Sequence, residues 1–122
     1  MSLEVINIEA INSIFLSVAD KIGGIQSGAD FVTDLIDTIN ACFAYCHQYG
    51  CGPEEGFFIQ DETATWDDYV CKNLIQKHFA KEYVFLKTRK LFDPPQSGPL
   101  LQALEKEIAQ TEWFITNCRQ GG

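Results

Sequence analysis

Residues 83 to 113 read YVFLKTRKLFDPPQSGPLLQALEKEIAQTEW, two helical stretches separated by a double proline. Pro94 disfavours helical dihedrals at Asp93, and two prolines in series stiffen the link. Ser97 can cap the second helix, with Pro99 tolerated in its first turn. Leu101, Leu104, Ile108 and Ile115 then recur at the spacing of one buried helical face. A stiff link of five residues, 93–97, between matching apolar stripes predicts that the second helix runs back along the first.

The stretch before the prolines extends upstream to Lys72. Ile75, Phe79, Glu82 or Tyr83, and Leu86 recur every three to four residues, and Phe85 and Leu91 widen the apolar face. Thr65 followed by Asp68 fits a capping box opening a helix at WDDYV, either as a short turn or continuous with the long run. GFFIQDETA is the one extended-looking stretch; it is too short for a sheet and reads as a structured loop or edge. Further upstream, Asp30 can cap a helix whose stripe is Leu35, Ile36, Ile39, Cys42, Phe43 and Cys46, closed by Gly50, Gly52 and Pro53. Ile8, Ile11, Phe15, Val18 and Ile22 mark a shorter helix ended by Gly23-Gly24, and Gly121-Gly122 reads as a frayed end. The fold class expected is all-α: a small bundle of about four helices with long antiparallel C-terminal helices and one irregular loop. At 122 residues it is expected to form one domain, 1–122.

Apolar runs are short and interrupted, far from the ~20 residues that span a bilayer. Residues 1–16 show no basic n-region, so a signal peptide is not expected. The formal charge is −8, and residues 1–61 carry all of that net charge, with Lys21 their one basic residue. An acidic surface repels phosphate backbones. The one basic candidate patch, Lys87, Arg89 and Lys90 with Lys81, lies beside Asp93 and is too small for a nucleic-acid footprint. Five cysteines, an odd number, in a chain able to form a core without staples read as reduced thiols.

Candidate chemistry is thin. Cys42, Cys46, His47 and Cys51 could hold tetrahedral zinc, but Cys42 and Cys46 fall on an apolar stripe where cysteine acts as a small hydrophobe. Asp61, Glu62, Asp67 and Asp68 lack the spacing of a calcium loop, and Asp68 already has a capping role. Cys71 and His78, read as two turns apart on one helix, are too distant for a thiol–imidazole pair. No catalytic residue, metal site or cofactor is expected, and the chain does not read as an enzyme.

Aromatic residues exceed what one narrow stripe per helix can bury, and surplus aromatics are favoured in interface cores. Trp66, Phe85, Lys87, Arg89, Phe92 and Trp113 are the interface candidates, by their off-stripe or terminal positions together with a stiff proline stop. For Trp66 and Trp113 a core role stands as the alternative.

Four features in order resemble the small head–tail connector (adaptor, neck) proteins of long-tailed bacteriophages and prophages of Gram-positive bacteria, sometimes labelled DNA-packaging proteins. They are the Gly50, Gly52, Pro53 loop, the Ala64-Thr65-Trp66-Asp67-Asp68 stretch, the helix end Phe85-Leu86-Lys87, Arg89 and Leu91 to Pro95, and the final Glu112-Trp113. Similarity is clearest over residues 30–115. The chain departs from the family pattern at Lys90, in the QSG after the prolines and in the Cys42/Cys46 pair. The resemblance implies a structural virion protein forming a homo-oligomeric ring between the portal and a stopper or tail-completion protein. DNA would pass through the channel without specific binding, and no membrane is involved. The expected place is the head–tail junction after assembly and the host cytoplasm before it. It supplies no catalytic residue. A cytosolic helical adaptor with no virion role, and a metal- or thiol-dependent enzyme, are the alternatives.

Overall fold

The computed structural model describes residues 12–23 and 29–118. Four helices make up the described fold: α1 (Ile14–Lys21), α2 (Ala29–Gln48), α3 (Leu74–Phe92) and α4 (Gly98–Cys118). A 3-10 turn, Trp66–Asp68, interrupts the connection between α2 and α3. The expected all-α bundle with one irregular loop is what forms, and among the described residues no strand occurs. No described helix is long and apolar enough to cross a membrane. Ile8, Ile11, Gly24, Gly121 and Gly122 lie outside the described residues.

The C-terminal hairpin obeys the proline logic. α3 ends with Asp93 N–H bonded to the Arg89 carbonyl at 2.8 Å. α4 starts at Gly98, with Ser97 Oγ accepting from Leu100 N at 3.4 Å and the Ser97 carbonyl from Leu101 N at 2.9 Å. Gln76, in the first turn of α3, donates through Nε2 to the Ile115 carbonyl at 2.8 Å, and Asn73 Nδ2 reaches the Cys118 carbonyl at 3.0 Å. The start of α3 therefore lies beside the end of α4, and the two run antiparallel. Lys90 Nζ and Glu105 Oε2, 3.2 Å apart, bridge the same pair near the link.

α3 is the central element, packing on α1, α2 and, most extensively, α4. Burial on more than one side explains why its stripe differs from the expected one. Ile75 is 63% exposed, whereas Gln76, Ala80, Tyr83, Val84 and Thr88 are buried. Small Ala80 and Thr88 permit close approach of neighbouring helices, and Gln76 enters the core because its amide is bonded. The cap also differs: Asn73 Oδ1 accepts from Ile75 N and Gln76 N, so the helix begins after Lys72.

α2 behaves as expected along Leu35, Ile39, Cys42, Phe43 and Cys46, all buried. It begins at Ala29, so Asp30 sits in the first turn rather than at the cap. Phe43 organises an aromatic cluster, with Tyr69 at 4.8 Å, Phe57 at 5.0 Å and Trp66 at 6.0 Å between ring centroids. Full burial of Phe43 contributes about 1.5–3 kcal/mol, and the half-buried Phe57 adds less.

The irregular segment 50–73 is fastened to helices rather than to a strand. Ile14 N–H donates to the Ala64 carbonyl at 3.0 Å, and Ser13, the cap of α1, donates through Oγ to the Glu62 carbonyl at 2.7 Å. Thr65 N–H donates to Asp68 Oδ2 at 2.8 Å, so the capping pair opens a single 3-10 turn, separate from α3.

Candidate functional site

The expected interface residues divide by depth. Trp66 is drawn inside: it is 3% exposed, its Nε1 donates to Ser17 Oγ at 2.9 Å, and Phe85 meets it edge-on at 5.8 Å. Its ring is a core ring, the alternative that the sequence left open. Phe85 is half-buried against it. Phe92 is also half-buried, edge-on to Phe31 at 5.9 Å. Arg89 is exposed, and Trp113 is 62% exposed. Trp113 points away from the buried side of α4, which carries Leu104, Ile108, Thr111 and Ile115. Its ring lies 5.4 Å from Phe114, which itself stacks on Phe79 at 4.7 Å. An exposed tryptophan braced by a stacked pair is a rigid apolar feature.

Exposed aliphatic side chains gather at the two ends of the long helices. Leu91 and Leu100 flank the proline link, and Val32 lies on the first turn of α2, which the Phe31–Phe92 contact brings to the same end. Val70, Leu74 and Ile75 are exposed at the opposite end, beside the last turn of α4. Leu74 and Leu91 are separated along the α3 axis by roughly 25 Å. Val32, Leu100 and Val70 escaped the sequence reasoning, because an apolar residue in a first turn or loop carries no periodic signal.

The basic stretch is largely engaged. Lys81 Nζ lies 5.2 Å over the Trp66 ring, Lys87 Nζ 5.4 Å over Tyr45, and Lys90 pairs with Glu105. These contacts spread the charges over separate faces rather than aligning them for phosphates.

The suspected zinc cluster does not converge. Cys42 and Cys46 are buried in the core, while His47 is exposed and its Nε2 lies 2.8 Å from the Glu54 carbonyl. Among the described residues no three His, Cys, Asp or Glu side chains could share a metal ion. Burial pushes the Cys42 thiol up to about 11 and raises Cys46 further. Asp67 Oδ2 accepts from Asn12 Nδ2 at 3.1 Å, and Asp61 accepts from Thr63, whose hydroxyl and amide pull its pKa down. Asp61 thus organises its own loop, and Asp67 ties the 3-10 turn to Asn12, just ahead of α1. Cys71 precedes α3 rather than sharing a helix with His78; its neighbour is Cys51, 3.8 Å away between sulfurs, which spacing alone did not reveal. The Gly50–Glu54 turn, His47, Lys72, Asn73 and Gln76 enclose an open cleft of about 560 Å³.

A family model described as phage connector protein matches residues 14–122. Comparisons with curated proteins and with solved structures gave no match. The matched region takes in all four helices, the glycine-rich turn, the double-proline link and the exposed Trp113, and the chain belongs to the phage connector protein family.

Proposed function

We propose that the chain is a structural virion protein that assembles with copies of itself into a ring at the head–tail junction of a long-tailed phage or prophage of Gram-positive bacteria. In this reading the ring lies between the portal and a stopper or tail-completion protein and lengthens the DNA channel. The protein waits in the host cytoplasm and joins after genome packaging. The observation that carries the reading is the distribution of exposed apolar side chains. Leu91 and Leu100 at one end, Leu74 and Ile75 at the other, and Trp113 outside are each about 60% exposed or more. Apolar groups on opposite ends of a stiff hairpin suit a subunit with neighbours on several sides. The formal charge of −8 suits a channel that lets DNA pass by repulsion rather than holding it.

The test is assembly on the portal. Purified chain is mixed with the portal of the same phage and imaged by negative stain. A ring stacked on the portal is expected, with no shift of duplex DNA by the free protein at physiological salt. Absence of any portal complex, together with a stable complex with a host cytosolic protein, would move the assignment to the adaptor reading.

A further inference from the structure

We propose that Cys51 and Cys71 form a peroxide-oxidisable dithiol, a covalent modification site that staples the end of α2 to the segment entering α3. Their sulfurs are 3.8 Å apart, and they come from the turn after α2 and the irregular residues before Asn73. A disulfide requires about 2.05 Å between sulfurs, so closure needs an approach of roughly 2 Å. Neither residue is held in a helix, which leaves backbone freedom for that movement.

The surroundings favour reaction at this pair over the other thiols. Tyr69 Oη donates to Cys51 Sγ at 3.3 Å, and Cys51 lines the open cleft between two glycines. The Cys71 thiol and the Tyr69 hydroxyl, both directed at Cys51, pull its pKa down, and Cys71 is raised in turn. Cys42 instead packs on Thr88 inside the core. Cys51 is only 2% exposed, so the oxidant must be small: hydrogen peroxide fits, and a bulky disulfide such as oxidised glutathione does not.

The electron balance closes with that single co-reactant. Cys51 gives up its proton, the thiolate attacks one peroxide oxygen, the O–O bond breaks, and a sulfenic acid forms as the departing hydroxide takes up that proton and leaves as water. The Cys71 sulfur then attacks Cys51 Sγ, the S–O bond breaks, and hydroxide departs with the Cys71 proton as a second water. Two thiols are oxidised by two electrons, and one peroxide is reduced to two waters. The link closes a loop between positions 51 and 71 that contains Trp66 and Tyr69. It is open in a reducing cytoplasm and closes in oxidising surroundings, whatever the chain assembles with.

The whole chain, reduced, is treated with equimolar hydrogen peroxide, blocked with N-ethylmaleimide and digested without reductant. Mass spectrometry is expected to find one linked peptide pair, Cys51 with Cys71. The melting temperature is expected to rise by several degrees, and dithiothreitol should reverse both effects. Cys71→Ser should abolish the link and let dimedone trap a sulfenic acid on Cys51, whereas Cys118→Ser should leave the link intact. The proposal is overturned if folded protein gives no such link, if pairs with Cys46 or Cys118 dominate, or if the link forms only after unfolding in guanidinium.

Discussion

Asn40, on α2, holds both backbone groups of Ile59: its Oδ1 accepts from Ile59 N–H at 2.8 Å and its Nδ2 donates to the Ile59 carbonyl at 2.9 Å. The amide acts as a neighbouring strand would, which lets an extended segment lie on a helix and bury Ile59 without a sheet. Asn40→Ala leaves both groups unpaired next to a buried side chain. It is expected to lower stability by about 2–3 kcal/mol, measured by urea unfolding. A loss below about 0.5 kcal/mol would show that water replaces the amide freely.

Gly52 has φ +92°, and a Cβ there would lie 2.8 Å from Cε1 of the buried Tyr69 ring. Gly56 has a similar φ of +94°, but its nearest neighbour would be Phe58 Cε2 at 3.7 Å. Gly56→Ala therefore isolates the backbone penalty, expected at about 1 kcal/mol. Gly52→Ala adds the clash and is expected to cost about 2–4 kcal/mol. Equal losses in the two variants, compared by thermal unfolding, would mean that Tyr69 yields at no cost.

Tyr83 is fully buried, and its hydroxyl has no hydrogen-bond partner among the described residues. Tyr49 lies beside it with ring planes near perpendicular at 6.0 Å. Removing an unpaired buried hydroxyl also removes its desolvation cost, so Tyr83→Phe is expected to be neutral or to stabilise by up to about 1 kcal/mol. Destabilisation beyond that size would reveal a partner for the hydroxyl.

What the sequence made legible depended on one-sided burial. α4 was readable because its buried residues fall on one face and Ser97 marks its start. α3 was not, because neighbours on more than one side take in Gln76, Ala80 and Thr88 and leave Ile75 outside, which blurs any apolar period. The same limit applied to the candidate surface. Trp66 and Trp113 look alike as terminal aromatics, yet the 3-10 turn aims one at Ser17 and the helix phase aims the other at solvent. The Cys51–Cys71 approach depends on the path of the irregular segment, which periodicity does not describe.

Cys42 ties stability to alkaline pH. Burial, the largest cause, raises its pKa from an ordinary 9.0 to about 11, against smaller lowering effects from Thr88 and Lys87. The folded value exceeds the unfolded one, so the contribution is complete below pH 9 and is lost as pH rises towards 11. Each unit in that window costs up to about 1.4 kcal/mol for this group, and the buried Cys46 thiol, raised in the same direction, adds to the loss. Urea unfolding of reduced protein from pH 8 to 10.5 is expected to show a falling midpoint above pH 9, with a shallower fall in Cys42→Ala. A flat profile would mean that the folded and unfolded chains release these thiol protons over the same pH range.

Assembly should separate from folding at the exposed positions. Arg89 and Trp113 are solvent-facing, so Arg89→Ala and Trp113→Ala are expected to keep the helical signal and to change stability by no more than about 0.5 kcal/mol. Leu91→Ser, at 59% exposure beside the stiff proline link, should fold equally well. Each is expected to weaken ring formation on the portal several-fold, because rigid apolar and guanidinium groups bind with little further loss of entropy. Trp66→Ala is the contrasting control: loss of a core indole is expected to cost about 3–5 kcal/mol and to abolish assembly through unfolding. Binding to immobilised portal, with circular dichroism on every variant, distinguishes the two outcomes. Unchanged binding by all three folded surface variants would remove these positions from the proposed portal contact.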